Sequence, residues 1–259
     1  MSLVLIVLVG LSGSSACVPL PAQQGRPGQE RLIYRMQYGQ FHAGSFETGR
    51  LPGEDGGVIL KASMRTTALY RRFFWADNAY VTYTDAELLP QRLRKEIRQK
   101  NLSHTMDITY DHQTQTACTA DGRQWQAPRG TKDILSLVYH LRTFPLPEGE
   151  TRAYTLDGEG LTWELTAENI GREEVNTPAG KAVADRVVLR FAASSSNKWR
   201  AWKTDILTNR LSGAATGVTI WFSVAGDRVP MQMIFPASPF DLRMILMRCE
   251  GASLASEGR

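Results

Sequence analysis

The chain has 259 residues, 42% of them hydrophobic and 22% charged, so it can build one large domain, and no break in composition calls for two. Its 30 basic and 26 acidic residues leave a net charge of +4. That excess is mild and dispersed; it suits contact with anionic lipid or glycan and argues against nucleic acid as a partner.

Residues 1–16 read as an export signal. Leu3 to Leu11 form an uncharged apolar run, too short to span a bilayer as a helix, and the small residues Gly13 to Ala16 follow it. No Lys or Arg precedes the run. Cys17 stands next, either as the lipid acceptor of a membrane-anchored lipoprotein or as the first residue after ordinary cleavage. Ser14 occupies the position where a lipoprotein signal usually carries Leu. Residues 17–29 are rich in Pro, Gly and Gln and read as a flexible tether. Residues 30–249 form a single expected β domain, and 250–259 a frayed tail.

Leu32, Tyr34, Met36 and Tyr38 alternate with Ile33, Arg35 and Gln37, the period of a half-buried strand. Gly39 to Gly44 is expected to turn the chain back. Strands are predicted over residues 45–51 and 57–67, separated by the turn Pro52 to Gly57. Residues 68–75 fit neither a helical nor a strand period. Further strands are predicted at 80–83, 89–100, 102–110 and 115–120.

One helix interrupts this pattern. In Thr131 to Arg142 the residues Ile134, Leu137, Val138 and Leu141 fall at i, i+3, i+4 and i+7, with Thr131 or Asp133 as N-cap and Pro145 as a stop. Strands resume at 151–156, 162–175 and 182–191, where Val187, Leu189 and Phe191 share a face. Residues 192–217 form a long Ser/Asn/Gly-rich excursion, and strands at 218–223, 229–235 and 240–247 close the chain.

About a dozen short antiparallel strands and one helix predict an all-β fold: a strongly curved antiparallel sheet or open barrel, with the amphipathic helix packed on it or plugging it. The stripe Ile134, Leu137, Val138 and Leu141 needs an apolar cover, and the concave face of such a sheet supplies one.

Several stretches, in order, resemble the bacterial envelope family known as domain of unknown function 3108. They are Arg31 to Gly44, the helix Asp133 to Arg142, the turn Thr177 to Gly180, and Ile220-Trp-Phe-Ser with Asp227-Arg-Val-Pro230. The resemblance runs from about Glu30 to Met247. It implies an exported, periplasmic or outer-membrane-associated protein of Gram-negative-type bacteria with a mostly antiparallel β fold. It carries no catalytic residues to transfer. Val224 to Gly226 and the 192–217 excursion depart from the family pattern.

Candidate ligand contacts fall in three groups. Arg92, Arg94 and Arg98 alternate along one predicted strand and could meet phosphate or carboxylate groups, or form a solvated outer face. Trp199 and Trp202 lie among Lys198, Arg200 and Lys203 and could stack on sugars or dock at a membrane, or fold back on the rim. The helix stripe could roof an apolar ligand. Cys118 and Cys249 could form a disulfide in an oxidising compartment. His42, His104, His112 and His140 show no metal-ligand spacing, and no phosphate-cradling glycine loop is present, so neither metal nor cofactor is implied. The sequence favours a non-enzymatic protein that binds or handles a lipid or other amphiphile in its concave sheet. The alternatives are an enzyme modifying envelope glycan or lipid, and a structural or assembly partner of the envelope.

Overall fold

The computed structural model describes residues 28–100, 102–160, 162–193, 217–237 and 239–254. The leader, Cys17, Trp199 and Trp202 lie outside them. One antiparallel sheet of 14 strands contains most of the described residues. In chain order the strands are Glu30–Tyr38 (β1), Phe41–Pro52 (β2), Val58–Thr66 (β3), Asp77–Thr84 (β4), Pro90–Gln99 (β5), Leu102–Asp111 (β6), Thr116–Thr119 (β7) and Gln124–Gln126 (β8). The helix Ile134–Thr143 (α1) follows. Then come Thr151–Asp157 (β9), Thr162–Thr177 (β10), Gly180–Ala193 (β11), Gly217–Ser223 (β12), Pro230–Phe235 (β13) and Leu242–Glu250 (β14).

Strand order is β8-β7-β6-β5-β4-β3-β2-β1-β14-β13-β12-β11-β10-β9, so the first and last strands pair in the middle and two runs of hairpins spread outward from them. The sheet is not closed by a ladder between β8 and β9. Instead, the segment before α1 lies on the free edge of β9. The Lys132 N–H donates to the Thr155 carbonyl at 2.9 Å, and the Asp157 N–H donates to the Lys132 carbonyl at 2.8 Å. An edge covered in this way no longer offers a row of free backbone groups to another strand.

The predicted alternation is the observed one. Leu32, Tyr34 and Met36 of β1, Leu60, Ala62 and Met64 of β3, and Val187, Leu189 and Phe191 of β11 all face inward. A main core joins α1 to β1–β5 and β9–β14. A smaller one gathers Leu93, Met106, Ile108, Tyr110, Ala117 and Ala127. Gly44 allows close crossing of β2 and β3, since a Cβ there would stand 2.3 Å from the Arg65 carbonyl oxygen.

Several expectations are corrected. The β1–β2 turn is only Gly39-Gln40, and residues 41–44 already belong to β2. The unassigned stretch 68–75 holds a short 3₁₀ turn, Tyr70–Arg72. β8 was not anticipated. Residues 250–254 are not frayed: Glu250 ends β14, and Ser253 is pinned by its N–H to Asp227 Oδ2 at 2.7 Å. Cys118 and Cys249 are free thiols on β7 and β14, with six strands between them in the sheet order, so the proposed bridge is not formed.

Candidate ligand-binding site

α1 begins where its sequence says it should. Asp133 is the N-cap: its Oδ1 accepts from the N–H groups of Leu135 (2.7 Å) and Ser136 (3.1 Å), while Ser136 Oγ accepts from the Asp133 N–H at 3.0 Å. This reciprocal box satisfies orphan donors of the first turn. The helix is buried over more of its circumference than a single stripe. Leu137 and Leu141 are fully enclosed, Ile134 and Val138 are half-buried, and Leu135, Ser136, Tyr139 and Arg142 are buried as well. A curved sheet wraps a helix from several sides, whereas a flat one would cover only one.

Between α1 and the sheet lies a wholly apolar void of about 50 Å³. Ile134, Leu135 and Val138 form its helix side; Leu32, Phe46, Ile220, Met233 and Met244 are among the strand residues opposite. For scale, a cavity of roughly 150 Å³ in a protein interior is needed to take up benzene. The interior is therefore largely filled in this conformation.

Each end of α1 meets a polar cluster. At the C-terminal end, Glu30 is buried against Arg142, which forks onto both its carboxylate oxygens; the Nη1 to Oε1 distance is 2.7 Å. The Tyr139 hydroxyl also donates to Glu30 Oε1 at 2.7 Å, and Arg142 Nε donates to the Asp227 carbonyl at 2.7 Å. Burial alone would lower the Arg142 pKa, but the Glu30 hydrogen bonds and charge raise it, so the guanidinium stays ionised. Burial likewise holds the Tyr139 phenol well above its usual value. Beside this cluster opens a pocket of about 230 Å³ bordered by Arg50, Tyr139, Arg142, Asp227 and Arg228.

At the N-terminal end, side chains stitch the gap between β8 and β9. Asp157 accepts from the Tyr110 hydroxyl (2.7 Å), Trp125 Nε1 (2.9 Å) and the Gly160 N–H (3.3 Å). Burial pushes its carboxyl up to about 6 against those donors. Lys95 and Glu159 form a second buried pair across the same gap. Asp133 is also raised by burial, and Lys132, lowered by burial, donates from Nζ to the Leu88 carbonyl at 3.2 Å. The space here, about 30 Å³, has room for roughly two waters. On the flank of α1, His140 packs edge-on against Tyr154 with centroids 5.6 Å apart, and burial drives its pKa down to about 4.

The other sequence candidates separate from this site. Arg92, Arg94 and Arg98 are exposed on the outer face of β5; Arg92 pairs with Asp107 and Arg94 with Glu96. Lys95, between them, faces inward. A larger concavity, about 810 Å³ over β1–β4, is open to solvent, and its Arg31 is matched by Glu47 and Glu250. Among the described residues no group of three or more His, Cys, Asp or Glu could hold a metal. Sequence reasoning missed Glu30, Arg50, Tyr139 and Arg228. The apolar spacing of α1 drew attention to its stripe alone, and an Arg in its last turn was the available signal for the polar end.

The family described as "Protein of unknown function (DUF3108)" matches residues 33–237. No curated protein sequence matches the chain. Among solved structures it is similar to the beta-barrel-like protein of domain of unknown function DUF1849 from Brucella abortus, at 12% identity over 88% of this chain and 99% of that one, with TM-score 0.58. That likeness is one of fold. It is also similar to an exported protein with YmcC-like fold from Bacteroides fragilis (10% identity, 88% and 98% covered, TM-score 0.38). A lipoprotein from Parabacteroides distasonis shows comparable similarity (10% identity, 88% and 97% covered, TM-score 0.34).

Proposed function

The chain belongs to the DUF3108 family, and from that premise we propose that it is an exported envelope protein that binds an amphiphile between α1 and the concave face of its sheet. The observation that supports this reading is the void under α1, lined by apolar atoms throughout and flanked by charged clusters at both helix ends. Apolar in the middle and polar at an end is the profile of a lipid. At about 50 Å³ the void is too small for an acyl chain, so binding requires α1 to move off the sheet. Met233 and Met244 on the sheet side are side chains that repack at small cost. The export signal at residues 1–16 sets the compartment in this reading, with Cys17 as lipid acceptor or mature N-terminus.

The test is incubation of purified protein with an envelope lipid extract, re-isolation, and mass spectrometry of what stays bound. Wild type should retain an amphiphile, and Val138→Phe, which fills the void, should retain at least several-fold less while keeping its near-UV circular dichroism. A wild type that carries no lipid would sink the reading.

A second reading, an assembly partner in the envelope, has its own support. Phe41, Leu69, Phe73 and Phe240 are 60%, 64%, 73% and 50% exposed. The β1–β2 turn and the β3–β4 connection lie side by side, Thr67 donating to the Ala43 and His42 carbonyls, and Phe240 stacks edge-on against Tyr38. Exposed apolar surface of this kind marks a docking rim. A cross-linkable residue at Phe73 that captured no envelope component would count against it.

A further inference from the structure

We propose that the pocket at the C-terminal end of α1 is an anion site that takes the phosphate or carboxylate group of the bound amphiphile, with Arg50 as its primary contact. This rests on the amphiphile reading for the tail but not for the anion itself.

The case is an inventory of donors and acceptors. Glu30 spends both carboxylate oxygens on Arg142 and Tyr139. Asp185 accepts from Arg172 Nε at 2.7 Å through Oδ1 and from Arg228 Nη1 at 2.9 Å through Oδ2. Asp227 gives its carbonyl to Arg142 and Oδ2 to the Ser253 N–H. Most of these carboxylate oxygens are thus engaged, while donors remain. Arg50 pairs directly with Glu30 in the β1–β2 register, yet that carboxylate is turned to Arg142, and no described residue forms an ion pair with Arg50. The Nε atoms of both Arg50 and Arg228 are buried without a hydrogen-bond partner. A guanidinium carries five N–H donors, and leaving them unmet out of water is unfavourable. Of the guanidinium groups that border the pocket, Arg142 pairs with Glu30 and Arg228 with Asp185, which leaves Arg50 as the one without an ion-pair partner among the described residues.

The planar fork of Arg matches two oxygens of a phosphate or carboxylate, which a neutral hydroxyl headgroup cannot offer. Tyr139 and Arg142 border both this pocket and the apolar void, so a headgroup at Arg50 would lead its chain directly under α1.

The experiment is calorimetric titration of the full chain with octyl phosphate, octanol and inorganic phosphate, on wild type and on Arg50→Gln and Arg50→Lys. Arg50 has no ion-pair partner among the described residues, so both variants should keep the native near-UV spectrum. Octyl phosphate should bind at least tenfold more tightly than octanol. R50Q should lose that margin, R50K should recover part of it, and octanol should be indifferent to both. Equal affinity for octyl phosphate and octanol, unmoved by R50Q, would overturn the headgroup site while leaving the apolar reading standing. Binding of inorganic phosphate that requires Arg50, with octyl phosphate no tighter and octanol silent, would keep the anion site and overturn the amphiphile reading. No binding of any probe would overturn both.

Discussion

Asp157→Asn should reshape the dependence of stability on pH. The wild-type carboxyl is 7% exposed and titrates at about 6 in the folded protein against an ordinary 3.8, because burial disfavours its charge more than Tyr110, Trp125 and nearby Lys95 favour it. Between those two values the folded state holds a proton that the unfolded chain has released. Its stabilising contribution is therefore complete below about 3.8 and is lost as pH rises through about 6, a swing of about 3 kcal/mol. His140 acts in the opposite sense. Its folded value of about 4 lies below the ordinary 6.5, so it adds stability as pH rises through the same window; half-exposed, it supplies less than its full linkage. The two largely mask each other in the wild type. Asparagine keeps the shape of Asp157 and can still accept from Trp125, while the Tyr110 hydroxyl turns to accept from its amide. In urea titrations at a series of pH values, the stability of D157N minus that of wild type should climb by about 3 kcal/mol from about pH 4 to about pH 7 and then level off. His140→Asn minus wild type should slope the other way, and less steeply. A D157N difference that is flat within about 0.5 kcal/mol, or that falls with pH, would refute the assignment.

Glu30→Gln leaves Arg142 buried without a carboxylate and should cost about 3–5 kcal/mol in urea unfolding, whereas Tyr139→Phe, which removes one neutral donor from the same cluster, should cost about 1–2 kcal/mol. Gly44→Ala puts a methyl 2.3 Å from the Arg65 carbonyl and 2.6 Å from Met36 Cε, and should cost about 2 kcal/mol or more, read as a drop of several degrees in the thermal midpoint.

The strands were legible because side chains alternate with a period of two wherever one face is buried. β8 was not, being three residues long with no apolar repeat. The helix was legible down to its Asp133 cap. Its surroundings were not, because a stripe of Ile134, Leu137, Val138 and Leu141 says which side is apolar and nothing about how far the sheet curls around the remainder. The Arg92, Arg94, Arg98 face was read correctly as one side of a strand; Arg94 meets Glu96 on that same face, but Arg92 meets Asp107 of β6, a partner whose position only the folded register determines. The same holds more strongly for the C-terminal cluster, where Arg142 meets a Glu30 112 residues away. Periodicity reports local geometry, so an Arg in the last turn of a helix can be seen in the sequence while the residue it pairs with cannot.

The placement of α1 follows from where its directional bonds are. Its two ends are fixed by geometry-specific contacts: the Asp133 box and the Lys132 bridge to β9 at one end, the Arg142 fork on Glu30 at the other. Its middle rests on apolar packing that leaves a void. A buried ion pair adds little net stability over an apolar replacement, but it tolerates only one arrangement, so it sets position better than it adds strength. Dispersion contacts in the middle are individually weak and tolerate rearrangement. A helix held in this way keeps its register while its centre can lift and repack, which is the mechanical property that admission of an acyl chain beneath it would need.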